Sequence, residues 1–357
     1  MQRRHQRPDR TRFTPPTPRA LRCRHLAGCA FAVLVGIPAL AASQSPRAFT
    51  YSIVARDAQT GELGVAVQSH WFSVGPTVPW AEAGVGAVAT QSLTDVSYGP
   101  LGLELLRAGK SAQQALDALI AADPGAALRQ VAIVDAAGRV AAHTGGRCIV
   151  AAGHATGDGF SVQANLMLQD TVWGAMKRTF EASVGPLAER MLLALEAAQA
   201  EGGDIRGKQS AAILVVRAQS SGRPWEDRVV DLRIEDHPEP LAEMRRLLQL
   251  HRAYEHMNAG DVAMEHDDFD AASREYAAAE ELAPGNGEML FWHAITLAAA
   301  GRVEQAKPLL ARAYAIDLNW RTLVPRLPHS GLLPVDESLI EALTQVQPDA
   351  VDAARRE

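Results

Sequence analysis

Thr50 and Ser52 stand two residues apart at the head of the stretch AFTYSIVARDAQTGELGVAVQS, residues 48–69. Both carry hydroxyls, and a hydroxyl is a poor nucleophile until a base takes its proton. A threonine at the N-terminus of a mature chain brings that base with it, because a free α-amine has an intrinsic pKa of about 8. Such a site needs no histidine. It needs a cut that frees the amine, here between Phe49 and Thr50, and donors placed where an oxyanion will form.

Other chemistries find less support. There is no G-x-S-x-G elbow, no P-loop and no dinucleotide fingerprint. The glycine-rich GHATGDG at 153–159 lacks the Lys-Ser/Thr of a phosphate cradle and reads as a turn. His251, His256 and His266 fall in a helical region, but a spacing of five sets His251 and His256 poorly on one face. No metal and no cofactor are expected.

The elements that must carry Thr50 begin as strands. TYSIVARD and GELGVAVQS alternate apolar and polar residues about a turn, which is a hairpin pattern. AGVGAVATQS (83–92) reads as a third strand. Two helices follow; Ser111 caps the second, with Gln114 three residues on as in a capping box. A second hairpin, RQVAIVD to VAAHTG, comes next, then a strand-like stretch to Met167. A helical stretch broken near Gly185-Pro186 and two closing strands complete the order. Hairpins with helices gathered in pairs predict α+β sheets held between helical layers.

DHPEP (236–240) punctuates the chain, and beyond it the pattern is helical. Ala272 and Ala306, Phe269 and Val303, Tyr276 and Leu310, Ala279 and Ala313, and Leu282 and Ile316 recur at a spacing of 34. This spacing, with small residues at helix contacts, predicts tetratricopeptide-like (TPR-like) helix pairs over 240–320. A helix over 240–258 and another near DESLIEALTQV flank them, and residues 321–357 form a Pro-containing connector and C-terminal helix.

The 357 residues are 47 % hydrophobic and 21 % charged, enough for a sizeable core. The net charge of −6 hides an asymmetry. Residues 1–42 hold eight Arg against the single acid Asp9, so the remainder stands at −13. An acidic body without a basic stripe argues against nucleic acid as a partner. The basic residues precede the apolar run Leu26–Ala41, and Ala39 and Ala41 are spaced for signal peptidase. Residues 1–42 therefore read as a secretory signal, with no membrane span after its removal and a periplasmic or secreted destination. Cys23 and Cys29 leave with the leader, and Cys148 is then alone, read as a buried thiol. Cleavage near Ala41 or Ala42 leaves about seven or eight residues ahead of Thr50, so a second cut is needed to expose it.

TYSIVARDAQTGELGVAVQS, VPWAEAGVGAVATQSLTDVSYGPLGLELL, RQVAIVDAAGRVAAHTG, GFSVQANLM and GGDIRGKQSAAILVV, taken together and in this order, resemble the DUF1028 family over residues 49–236. That family is placed in the N-terminal-nucleophile (Ntn) hydrolase superfamily. The resemblance implies a four-layer αββα sandwich and a Thr-aromatic-Ser opening strand, matched by Thr50, Tyr51 and Ser52. It supplies no substrate. Proteasome-like members of the superfamily place an acid at the end of the second strand and a lysine on the third. This chain offers Gln68, Ser69 and His70, and no Lys between 49 and 109.

Polar residues that can substitute are His70, Thr90, Gln91, Asn165, Asp204, Gln209 and Ser210. Thr50, Ser52, His70, Asn165 and Asp204 form the candidate catalytic set, and Gln91, Gln209 and Ser210 the candidate substrate-binding set. Asn165 and Gln91 can donate to an oxyanion, Asp204 can hold an ammonium, and His70 or His143 can serve as a base. Each also has a plain role available in a strand or turn. The expectation is an exported amide or peptide-bond hydrolase with a TPR-like tail that recruits a protein partner. The alternative is an inactive binding or scaffold protein of the cell envelope.

Overall fold

The computed structural model describes residues 48–349. The expected signal segment, residues 1–42, with Cys23 and Cys29, lies outside the described residues. β1 (Thr50–Arg56) and β2 (Leu63–Ser69) form the expected hairpin, in a register running from Thr50 opposite Ser69 to Arg56 opposite Leu63. Asp57 builds the turn. Its Oδ1 accepts the N–H groups of Gln59 and Thr60, each at 2.8 Å, and its Oδ2 accepts Arg190 Nη1 at 3.0 Å. Gly61 closes the turn at φ 76°, where a Cβ would stand 2.9 Å from that of Ala218.

Burial alone pushes the Asp57 carboxyl up. The N–H donors of Thr60 and Gln59 and the charge of Arg190 outweigh it and hold the group below the usual carboxylate range. A carboxyl lowered in this way stabilises the fold above its unfolded value of about 3.9, and that contribution is lost as pH falls through the lower folded value. Asp57→Ala is expected to cost about 3 kcal/mol at neutral pH. The gap from the parent, measured by urea unfolding, is expected to close below about pH 4.

β3 (Pro79–Glu82) and β4 (Gly86–Ser92) form a second hairpin. The third strand is therefore shorter than 83–92 and has an unforeseen partner, because Ala83-Gly84-Val85 turns the chain. Helices α1 (Tyr98–Arg107) and α2 (Ala112–Ala122) follow; Ser111 and Gln114 make the capping box. β5 (Arg129–Asp135) and β6 (Val140–Thr144) form a third hairpin, β7 (Gly153–Gly157) and β8 (Phe160–Ala164) a fourth. GHATGDG is thus mostly strand, and only Asp158-Gly159 turn. Its glycines serve packing: a Cβ on Gly153 would lie 2.6 Å from the Trp173 ring.

α3 (Val172–Ala182), α4 (Leu187–Ala200), β9 (Ser210–Val216) and β10 (Arg228–Ile234) complete this part. Two antiparallel sheets result, of orders β10-β9-β2-β1-β8-β7 and β3-β4-β5-β6. Along β1 the faces alternate. Tyr51, Ile53 and Ala55 join a core with Met176, Phe180, Met191 and Leu195 of α3 and α4. Val54, with Val65 and Val67 of β2, meets Ala87, Ala89, Ala132 and Val134 of the other sheet. The outer face of that sheet, Val88, Val131 and Ile133, packs on Leu103, Leu116 and Leu119 of α1 and α2. Cys148 is free and buried; burial pushes its thiol pKa up.

α5 (Pro240–Glu265) outruns the expected 240–258 and belongs to two cores. Leu241, Met244 and Leu248 pack with the sheet core, while Ala253 and Met257 pack with α6 (Phe269–Leu282). α7 (Gly287–Ala299) and α8 (Val303–Ile316) follow. α6 and α8 begin and end 34 residues apart, and Ala272, Ala279, Ala306 and Ala313 are all fully buried. α9 (Asn319–Leu323), a 3-10 stretch (Val324–Ser330) and α10 (Glu337–Thr344) close the described chain. No described helix is long and apolar enough to cross a membrane.

The longer α5 depends on Gly260, where a Cβ would stand 2.9 Å from the Tyr276 ring. Gly260→Leu is expected to lower stability by about 1–3 kcal/mol through overpacking. Thermal unfolding checks this.

Candidate functional site

Between the sheets the interior changes character along β1. Val54 stands in the apolar part, whereas Thr50 and Ser52, on the same face, open a wholly polar region. Ser52, Gln91, Gln130, Gln163 and Asn165 are all fully buried there. Burying so many polar groups is tolerable only if they bond to one another, and they do. Gln163 Nε2 donates to Ser52 Oγ at 2.6 Å, and Ser52 Oγ donates to Gln91 Oε1 at 2.6 Å. Gln91 Nε2 donates to Gln130 Oε1 at 2.7 Å, and Asn165 Nδ2 to the same oxygen at 2.9 Å. Gln130 Nε2 reaches Ala164 O at 2.9 Å. The network is uncharged and joins strands of both sheets.

Thr50 lies at its edge. The Thr50 carbonyl accepts Asn165 N and Gln91 Nε2, each at 3.1 Å, with Asn165 Nδ2 at 3.4 Å. The Thr50 hydroxyl, fully buried, has no hydrogen-bond partner among the described residues, and neither has Asn165 Oδ1. Leaving a buried hydroxyl unpaired costs about 1–3 kcal/mol. It is the sort of exception that marks functional sites.

The preceding residues are fixed as firmly. Ala48 is fully buried and Phe49 is 8 % exposed. Ser92, in the left-handed region at φ 77°, donates its N–H to Ala48 O at 2.8 Å. The Phe49 carbonyl oxygen, which belongs to the peptide bond ahead of Thr50, accepts two donors. These are Ser69 Oγ at 2.6 Å and Arg206 Nη2 at 2.7 Å. The Arg206 guanidinium also lies over the Phe49 ring, 5.2 Å from its centroid.

A glycine-rich loop between α4 and β9 positions Arg206. Gly202, Gly203 and Gly207 all have positive φ. Arg206 forms a two-pronged pair with Asp204, Nη2 to Oδ2 at 2.6 Å and Nε to Oδ1 at 3.0 Å. The Asp204 carboxylate is wholly buried and also accepts His70 N–H at 3.2 Å. Burial, reinforced by the charge of Asp204, pushes the Tyr51 phenol well above its usual pKa. It stays protonated and donates to Gln199 Oε1 at 3.0 Å.

The structure brings some of the candidate residues together and separates others. Thr50, Ser52, Gln91 and Asn165 meet in one network, with the donors of Gln91 and Asn165 turned to the Thr50 carbonyl rather than that of Phe49. Asp204 serves the site through Arg206. The buried Nδ1 of the His70 ring has no hydrogen-bond partner among the described residues. Gln209 and Ser210 face elsewhere: Gln209 Nε2 donates to Asp236 Oδ1 at 3.2 Å, and Ser210 Oγ bonds Trp71 O and Val74 N–H, pinning the loop after β2. Thr90 Oγ1 donates to Asp95 O, and His143 Nε2 contacts Ala126 O at 2.9 Å, on the edge strand β6. Among the described residues no group of three or more His, Cys, Asp or Glu is placed to hold a metal.

Ser69, Arg206, Gln130 and Gln163 were not among the candidates. The two glutamines had a signal, since each breaks an apolar strand, RQVAIVD and FSVQA, at an inward position.

Two antiparallel sheets carrying helix pairs, with a buried polar seam at the head of β1 and a helical region after them, define a mixed α/β class. The chain belongs to the family of unknown function DUF1028, whose model matches residues 50–244. The match begins at Thr50 itself. The chain is similar to the crystal structure of protein SPO2555 from Silicibacter pomeroyi, a DUF1028 protein. Identity is 33 % and the TM-score 0.51, over 56 % of this chain and 84 % of that one. No curated protein matches.

Proposed function

We propose that this protein is an exported amide hydrolase of the N-terminal-nucleophile type, seen before the cut that activates it. Its two sheets and their helix pairs form the αββα sandwich of that superfamily. The observation that carries the reading is the Phe49 carbonyl: two donors hold its oxygen while the hydroxyl of the next residue has no partner among the described residues. Thr50 Oγ attacks the Phe49 carbonyl carbon. Ser69 and Arg206 stabilise the oxyanion. The Phe49–Thr50 C–N bond breaks, and the hydroxyl proton ends on the Thr50 nitrogen. Water then hydrolyses the Phe49 ester, the upstream residues leave, and Thr50 becomes N-terminal with its amine as base. Arg206 and Ser69 supply the positive charge and donor that the absent lysine does not.

The helical tail, with its repeat of 34, is proposed to be a TPR-like module that recruits a protein partner in the envelope. A second reading, a non-catalytic binding or scaffold protein, is favoured by the complete burial of Thr50 in the uncut chain. A β-lactone probe separates the two. On the hydrolase reading, peptide mapping finds a single acyl adduct, on Thr50, and none in Thr50→Ala. Absence of the adduct from correctly folded wild type, or its presence elsewhere, supports the scaffold.

A further inference from the structure

The upstream segment occupies the site that a substrate must use. In self-cleavage and in substrate hydrolysis the same nucleophile attacks a carbonyl carbon, and the same donors receive its oxygen. That fixes where the carbonyl sits, and with it where the group on the acyl side of the carbonyl must go. In the uncut chain that group is the Phe49 side chain, with Arg206 over its ring.

Resting on the hydrolase reading, we propose that the mature protein cleaves amides whose acyl group carries a benzyl group on the carbon next to the carbonyl, as a phenylalanyl group does. Departure of Phe49 removes a ring that is 8 % exposed, its contact with a cation and the occupant of two donors. A phenylalanyl acyl group replaces all three. Burying a phenyl ring rather than a methyl favours it by at least tenfold, and the guanidinium over its face adds to this. The product carboxylate is also a ligand. One oxygen takes the place of the Phe49 carbonyl oxygen, and ionisation strengthens both bonds it accepts. Arg206 remains oriented by Asp204, so the site is built before the product arrives.

The test uses the full chain after processing, with its N-terminus first established by intact mass. N-acetyl-L-phenylalanine and N-acetyl-L-alanine are titrated at equal concentration while thermal unfolding is followed. N-acetyl-phenylalanyl and N-acetyl-alanyl anilides are compared as substrates. The expected result is a rise in Tm with the phenylalanine derivative alone, and kcat/KM at least tenfold higher for the phenylalanyl anilide. Equal response to both acyl groups, or no response from a protein that begins at Thr50 and reacts with β-lactone, overturns the substrate class and leaves the hydrolase reading standing. A chain that never begins at Thr50 overturns both. Phe49→Ala gives an independent check, because residue 49 is absent from the mature protein. It is expected to slow processing at least tenfold, yet yield mature protein with unchanged kcat/KM. Processing at the parental rate contradicts the seating of the Phe49 carbonyl by its side chain.

Discussion

On the proposed mechanism, Thr50→Val is expected to abolish cleavage at Phe49–Thr50, with no chain beginning at residue 50 detectable. The reason is local. Valine keeps the shape of threonine and the strand preference of β1 but removes the hydroxyl. That hydroxyl bonds nothing among the described residues, so the described fold loses no hydrogen bond with it. Removing an unpaired buried hydroxyl lifts its desolvation cost of about 1–3 kcal/mol. The unfolding midpoint is therefore expected to be no lower than that of uncut wild type. Loss of processing with stability kept separates a nucleophile from a strand residue. Intact mass and thermal unfolding of the same sample check both halves. A variant processed like wild type makes Thr50 a residue of the strand and nothing more.

Ser69→Ala is expected to slow processing by about 10²–10³, the effect of removing one oxyanion donor. Ser69 sits opposite Thr50 in the β1–β2 ladder, and its Oγ stands 2.6 Å from the Phe49 carbonyl oxygen. The backbone pairing of β2 does not depend on the hydroxyl, so the substitution is expected to cost only about 1 kcal/mol in stability. Arg206 is the stronger donor but a poorer subject. Removing it leaves Asp204 charged and buried without its partner, which costs about 3–5 kcal/mol and confounds rate with folding. A time course of intact mass after refolding measures the Ser69→Ala rate. A rate equal to wild type would mean that the hydroxyl does not stabilise the oxyanion.

The β1–β2 hairpin was legible because both faces of β1 are buried against different partners while period-two alternation survives. The capping box at Ser111 and the repeat of 34 were legible because each is a local pattern. β3 was not: it has four residues, opens on proline, and owes its existence to β4. The strand β7 was hidden by glycines that suggest a turn until the Trp173 ring is seen against Gly153 and the Phe160 ring against Gly157. The extension of α5 was hidden by Gly260, whose absent side chain admits Tyr276.

The site divides in the same way. Thr50 and Asn165 could be picked from residue type and position. Arg206 could not, because its meeting with the Phe49 carbonyl joins residues 157 apart through a loop bent by three left-handed glycines. Asp204 was read as a group for an ammonium; its partner is the guanidinium two residues on.

The central claim is that the Phe49–Thr50 bond is cut. Intact-mass measurement of the protein recovered from the cells that make it tests this most directly. The account expects a chain that begins at Thr50. A mature chain that begins at Ser43, and stays so on prolonged incubation, contradicts it.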